Sequence, residues 1–280
     1  MTAREWDLAG RRQSLIVPRE HGAWGILLVP LVTGAITGLL DGGKAGSLAP
    51  LGIAAVSLFW VRTPLESWVG STPIRARGPS EIRLVRNTVL LLASVACAAL
   101  IWLFWGGRNR VLLWIGAAAA TAFLGQAVLR MLRRNARTVA QMIGAAGLTS
   151  TAPAAYCAVI GSWNDTAWSL WAANLLFAVN QIHFVQLRIH AARAKTRTDK
   201  LTAGRGFLAG QVALTILLAS ACLAHWYSWY GGLAFLPVLF RGFAWFAGKP
   251  KPLVIHALGK SELAYACTFG VLLILGMKLG

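Results

Sequence analysis

Asn180, His183, Gln186 and His190 follow one another at spacings of three, three and four within the apolar stretch Asn174–His190. That spacing stacks them on one side of a helix. The chemistry on offer is hydrogen bonding by two amides and proton handling by an imidazole that titrates near neutral pH. His183 and His190 are seven residues apart, about 10 Å along a helix axis, whereas chelating histidines on a helix stand three or four apart. A metal site on this helix is therefore not expected. Asn180, His183 and Gln186 suit the polar head of a ligand better. Next come Arg188, Arg193, Lys195, Arg197, Lys200 and Arg205. This basic run suits contact with anionic lipid head groups, or a clamp in which Arg188 or Arg193 holds a phosphate or diphosphate.

Two further stretches carry candidates. Val17–Gly25 reads V-P-R-E-H-G-A-W-G and sets Glu20 and His21 beside glycines that permit close backbone approach; it also reads as a plain helix start with Trp24 as anchor. Glu66, in R-T-P-L-E-S-W, is either a base, metal ligand or cation holder, or a carboxylate paired with a neighbouring arginine. The site expected from these residues has His183 and Glu66 as proton-handling groups. Glu20, His21, Asn180, Gln186, Arg188, His190 and Arg193 would bind substrate around a cavity at the inner rim. No Walker loop, GxSxG, HExxH or Asp-rich repeat occurs, so no motif names a metal or a cofactor.

The elements that must hold these residues are membrane helices. The 280-residue chain is 57% hydrophobic and 13% charged, against about a quarter charged in soluble domains. A net charge of +18 raises the question of nucleic acid. The positive residues are, however, confined to short links between long apolar runs, which membrane topology explains. Crossing roughly 30 Å of hydrocarbon takes about 20 apolar residues. Nine segments qualify, at about 22–40, 48–66, 87–105, 111–129, 139–160, 167–190, 206–224, 230–247 and 258–277. Residues 1–21 read as a polar leader rather than a signal peptide, and 22–280 as one transmembrane domain. With the N-terminus inside and the C-terminus outside, 23 of the 27 Lys and Arg fall on the cytoplasmic side. A missed span would destroy that bias.

Other features agree with this layout. Trp102, Trp105, Trp114, Trp163, Trp168, Trp171, Trp226 and Trp229 fall near outer helix ends as an interfacial belt. Gly34 and Gly38 form a GxxxG, and 144–155 is rich in Gly, Ala and Ser, so close helix packing is expected at both. Pro30, Pro153 and Pro237 should kink their spans. Arg241, inside the eighth segment, is expected to snorkel to the surface. The acids are expected at span ends only, and Cys97, Cys157, Cys222 and Cys267 as isolated small hydrophobes.

With E-H-G-A-W at 20–24 and the Asn180–Arg193 helix in view, the chain resembles the YwiC-like family of bacterial membrane proteins along essentially its whole length. That resemblance implies a multi-pass protein of the bacterial inner membrane and no particular chemistry. At one remove the layout is similar to the UbiA superfamily of intramembrane prenyltransferases, which have nine helices and active-site loops after helices two and six. The Asp-rich motifs that hold magnesium there are missing: the first position offers Glu66 and Glu81, the second His183, Gln186, Arg188 and His190. The implied function is an enzyme acting on an isoprenoid, quinone or lipid without that magnesium site. A transporter or lipid-binding protein, and an accessory subunit of a membrane complex, are the alternatives. Membrane lipids are the expected partners; oligomeric state is not legible.

Overall fold

The computed structural model describes the chain except residues 1–2, 19–20, 71–74, 106–109, 133–136, 195 and 250–252; for 3–9, 21, 130–132, 137 and 193 it describes the backbone alone. The described residues form helices and no strand. Eight apolar stretches are long enough to cross a bilayer, which makes this an all-α, multi-pass membrane protein. The chain divides into two compact units, residues 1–21 with 45–109, and residues 22–44 with 110–280.

The first unit consists of α1 (Ala3–Ile16), α3 (Leu48–Val69) and α4 (Pro79–Trp105). α3 ends on Gly70, whose φ of 79° closes the helix in the left-handed conformation that glycine adopts without strain. The stretch expected to be a plain leader is largely helical and docked. Leu15 is fully buried, the Trp60 indole donates to the carbonyl of Ile16 at 2.7 Å, and Arg11 binds Glu81 through Nε at 2.7 Å. α4 begins eight residues before the expected span. Its first turn is stabilised by Glu81, which accepts from the backbone N–H of Arg77 at 2.9 Å.

The second unit contains α2 (His21–Leu40), α5 (Arg110–Leu132), α6 (Arg137–Thr149), α7 (Thr151–Ile160), α8 (Asp165–His190), α9 (Arg197–Leu223), α10 (Trp229–Leu233), α11 (Leu236–Ala247) and α12 (Ile255–Leu279). α9 starts nine residues before the expected span because Thr196 and Asp199 form a capping box that carries the helix out through the basic run. The fifth and eighth spans are each broken in two. A proline cannot bond the carbonyl four residues back and crowds it. For Pro153 and Pro237 that carbonyl belongs to Thr149 and Leu233, where α6 and α10 end. Pro30 sits within α2 without ending it.

α8 is not among the eight apolar spans. At 26 residues it has the length, about 39 Å, but Asn174, Asn180, Gln181, His183, Gln186 and Arg188 lower its hydropathy. Its hydrophilic side is answered by neighbouring helices. Asn174 donates to Thr33 of α2 at 3.2 Å and to the Leu170 carbonyl at 2.8 Å, all buried. Near the other end of α2, Tyr156 donates to Asp41 at 3.0 Å and Asn164 to Tyr156 at 3.0 Å, while Lys278 pairs with Asp41.

α7 is covered throughout: every residue from Ala152 to Val159 is buried. α2 reaches it through the GxxxG, since a Cβ at Gly34 would overlap the backbone of Ala152 and one at Gly38 would lie 3.1 Å from Val159. The four cysteines are free, as expected of isolated small hydrophobes; Cys157 and Cys222 are buried, and Cys97 and Cys267 are exposed on the apolar helices α4 and α12.

Gly34→Ala is expected to destabilise the protein by about 1–3 kcal/mol through overpacking. Gly52→Ala, where nothing lies within 4 Å of the new methyl, is expected to be tolerated. Thermal unfolding in detergent compares the two; coincident transitions would contradict the α2–α7 contact.

Candidate functional site

α11 is the helix L-P-V-L-F-R-G-F-A-W-F-A, in which Arg241 is the one charge. α12 carries Glu262 seven residues after its start, about 10 Å along the helix. The two side chains form an ion pair between Arg241 Nη1 and Glu262 Oε2, with Arg241 7% and Glu262 4% exposed. This corrects two expectations. Arg241 does not snorkel, because a carboxylate on the neighbouring helix neutralises it in place. Nor are the acids confined to the ends of spans, because Glu262 points into the bundle.

α8 completes the cluster with two adjacent amides. Arg241 Nη2 donates to Asn180 Oδ1 at 3.2 Å, and Gln181 Nε2 donates to the Glu262 backbone carbonyl at 2.9 Å. Adjacent helical residues point about 100° apart, so one turn of α8 serves α11 with one amide and α12 with the other. The guanidinium lies over the Phe184 ring, 4.0 Å from its centroid, and 4.9 Å from that of Tyr265. These contacts partly replace lost hydration by cation–π attraction. Three atoms stay without a hydrogen-bond partner among the described residues: Arg241 Nε, Glu262 Oε1 and Gln181 Oε1. Such groups are costly where water cannot reach.

Below the ion pair, α11 is closed by Lys200. This residue, 2% exposed, donates to the carbonyls of Trp245 and Gly248 (2.8 Å for the latter) and stands 4.3 Å over the Trp245 ring. An ammonium on the last carbonyls satisfies them and favours the negative end of the helix dipole. Lys200 thus leaves the solvent-facing basic run assigned to it from sequence. Gly204 admits Phe246 and Leu187 against α9, and Gly242 admits Gln211 against α11.

The residues expected to line one cavity have different surroundings. Asn180 joins the ion pair. Gln186 donates to Gln141 of α6. The exposed His190 is bonded through Nδ1 to the Gln186 carbonyl at 2.7 Å. His183 is half-buried and has no hydrogen bond among the described residues. Arg188 is half-buried, and its charge acts on both Glu262 and Lys200. Glu66 is paired with Arg62, four residues earlier, at 2.9 Å and belongs to the first unit. Glu20 lies outside the described residues, as do the side chains of His21 and Arg193. Arg241, Glu262, Gln181 and Tyr265 were missed from sequence. The available signal was one arginine and one glutamate in separate apolar segments, each too expensive to hold alone.

Losing one partner of a buried ion pair costs about 3–5 kcal/mol, while replacing both with apolar residues is near neutral. Glu262→Leu is therefore expected to destabilise the protein by about that amount, and adding Arg241→Met should recover much of the loss. A double-mutant cycle on detergent-solubilised protein reads this; additive effects would mean the two groups do not interact.

Comparison with known families places a YwiC-like protein model on residues 17–156, half of the chain, from the V-P-R-E-H-G-A-W-G start to α7. No curated protein matches. An all-helical, multi-pass membrane chain with that match belongs to the YwiC-like protein family.

Proposed function

We propose that this membrane protein binds the polar end of an amphipathic molecule, an isoprenoid, a quinone or a membrane lipid, inside its second unit. The observation that carries the reading is the cluster of Asn180, Gln181, Arg241 and Glu262. All four are more than nine-tenths buried, yet Arg241 Nε, Glu262 Oε1 and Gln181 Oε1 have hydrogen-bonding capacity that no described residue uses. Ionisable groups held at such depth in a helical bundle typically mark a ligand or ion site. The charge bias of the loops supports a bacterial inner-membrane protein with its N-terminus inside. In that orientation the cluster lies about two turns from the cytoplasmic ends of α11 and α12 and nearly three from that of α8.

A lipid-binding or transport role fits better than catalysis. Proton-handling chemistry would call on His183 and Glu66, and Glu66 is already committed to Arg62. The enzymatic version rests on His183 alone, half-buried one turn beyond Asn180 and without a hydrogen bond among the described residues; Arg188 would then face a phosphate.

Extraction of native membranes into nanodiscs, followed by mass spectrometry of retained lipids, tests the reading. The wild type and Leu90→Ala, an exposed position of the first unit, are expected to keep the same bound species. Asn180→Leu and Gln181→Met are expected to lose most of it. Identical lipid content in all four would remove the site.

A further inference from the structure

We infer that the exposed side of α9 holds one anionic phospholipid, with its phosphate on Arg205 and Arg197 and an acyl chain along an apolar groove. This site is separate from the interior cluster proposed above. Arg197, Leu201, Arg205, Leu208, Val212 and Ile216 recur at steps of four, four, three, four and four, which keeps them on one side of the helix. The other side, with Lys200, Gly204, Phe207, Gln211 and Leu214, is the buried one. Ala209 and Ala213 stand beside Leu208 and Val212, so the exposed surface steps down along a row of larger side chains. The result is an open groove of about 570 Å³, lined by α9 from Leu201 to Ile216. Arg205 and Ile216 stand about 16 Å apart along the helix. One leaflet supplies half of roughly 30 Å of hydrocarbon, so the groove matches an acyl chain from head group to bilayer middle.

Charge selects the head group. Arg205 lines the groove at its basic end, and Arg197 lies about 12 Å nearer the helix start on the same side. Side chains on a helix lean toward its N-terminus, which carries the Arg205 guanidinium toward Arg197. Both are exposed, and neither has a hydrogen bond or ion pair among the described residues. The one acid of α9, Asp199, accepts from the Thr196 backbone in the capping box. A guanidinium takes two phosphate oxygens at once. A second copy of the chain is the rival occupant, because Gly206 and Gly210 leave open space beside the groove where another helix could approach. Copies in one membrane share an orientation, however. A twofold pair through this side would therefore set Arg197 and Arg205 against their own counterparts, like charge on like. An anionic lipid supplies both the missing counter-charge and a tail of the right length.

Native mass spectrometry of the protein released from nanodiscs of equal phosphatidylglycerol and phosphatidylcholine counts retained lipid and any dimer. The wild type is expected to keep one phosphatidylglycerol. Arg205→Gln should weaken that retention about fivefold. Ala213→Trp, which fills the groove and leaves both arginines in place, should abolish it. Arg110→Gln, at an exposed arginine that opens α5, should match the wild type. All three positions are exposed, and thermal transitions check that the variants are folded. Equal retention of the two lipids by the wild type would overturn the site. So would a loss in Arg110→Gln as large as in Arg205→Gln, which would mean surface charge alone. A loss in Arg205→Gln with none in Ala213→Trp would overturn the groove, and a dimer without bound phosphatidylglycerol would give this side to a second copy. In the native-lipid assay above, Arg205→Gln should keep the interior species that Asn180→Leu loses; losing it too would overturn the separation of the two sites.

Discussion

Two opposite charges withdrawn from water must stay together, and that requirement sets the positions of three helices in the second unit. Arg241 can reach Glu262 only if α11 and α12 are held at matching heights, and Asn180 can reach Arg241 only if α8 is rotated to suit. The surrounding structure meets these conditions with local devices. Pro237 ends α10 at Leu233 and so fixes where α11 begins; Lys200 grips the carbonyls at its other end. The guanidinium is thereby placed by a short helix restrained at both termini. Phe184 and Tyr265 then supply the faces that water would have covered.

Close packing provides the frame on which these restraints act. Hydrophobic burial gives little reason for helices to associate in lipid, so contact depends on van der Waals fit and interhelical hydrogen bonds. α7 meets the first need by being small-sided and α2 by presenting Gly34 and Gly38 to it. Thr33 with Asn174, and Asp41 with Tyr156, Asn164 and Lys278, meet the second. Phe177 and Phe269 stack 4.2 Å apart between α8 and α12. These contacts give α8 a fixed rotation, without which its adjacent amides could not serve two different neighbours.

Much of this was legible in the residues, and what was not has identifiable causes. Apolar length located the eight apolar spans, because the bilayer imposes that length, whereas the polar α1 was read only as a leader. It could not locate helix starts, since polar turns continue a helix wherever a cap or charge supports them, as Thr196 with Asp199 and Glu81 do. The α8 stripe was misjudged for a geometric reason. A step of three residues falls about 60° short of a full turn, so Asn180 and Gln186 stand roughly 120° apart and answer different helices, α11 and α6. Arg241 was misjudged because one segment read alone favours snorkelling; only the position of Glu262 on another helix decides otherwise. Lys200 looked like one more loop cation because nothing local shows that α11 ends against it.

A structural salt bridge and a ligand site differ in how completely their atoms are used. The outer cluster illustrates the first: both Asp41 oxygens accept, from Tyr156 and from Lys278. The Arg241–Glu262 centre is deeper and yet uses one carboxylate oxygen on the guanidinium and leaves the other without a partner. If it served only to join α8, α11 and α12, an apolar triad of similar volume would do so without dehydrating two charges. Holding the charges while leaving one guanidinium nitrogen and two oxygens without a partner among the described residues fits the ligand reading proposed above. Asn174 Oδ1, Thr37 Oγ1, Gln211 Oε1 and Tyr227 Oη are also buried without a partner among the described residues, so what sets the deeper centre apart is that its unpartnered atoms include one from each of two opposite charges.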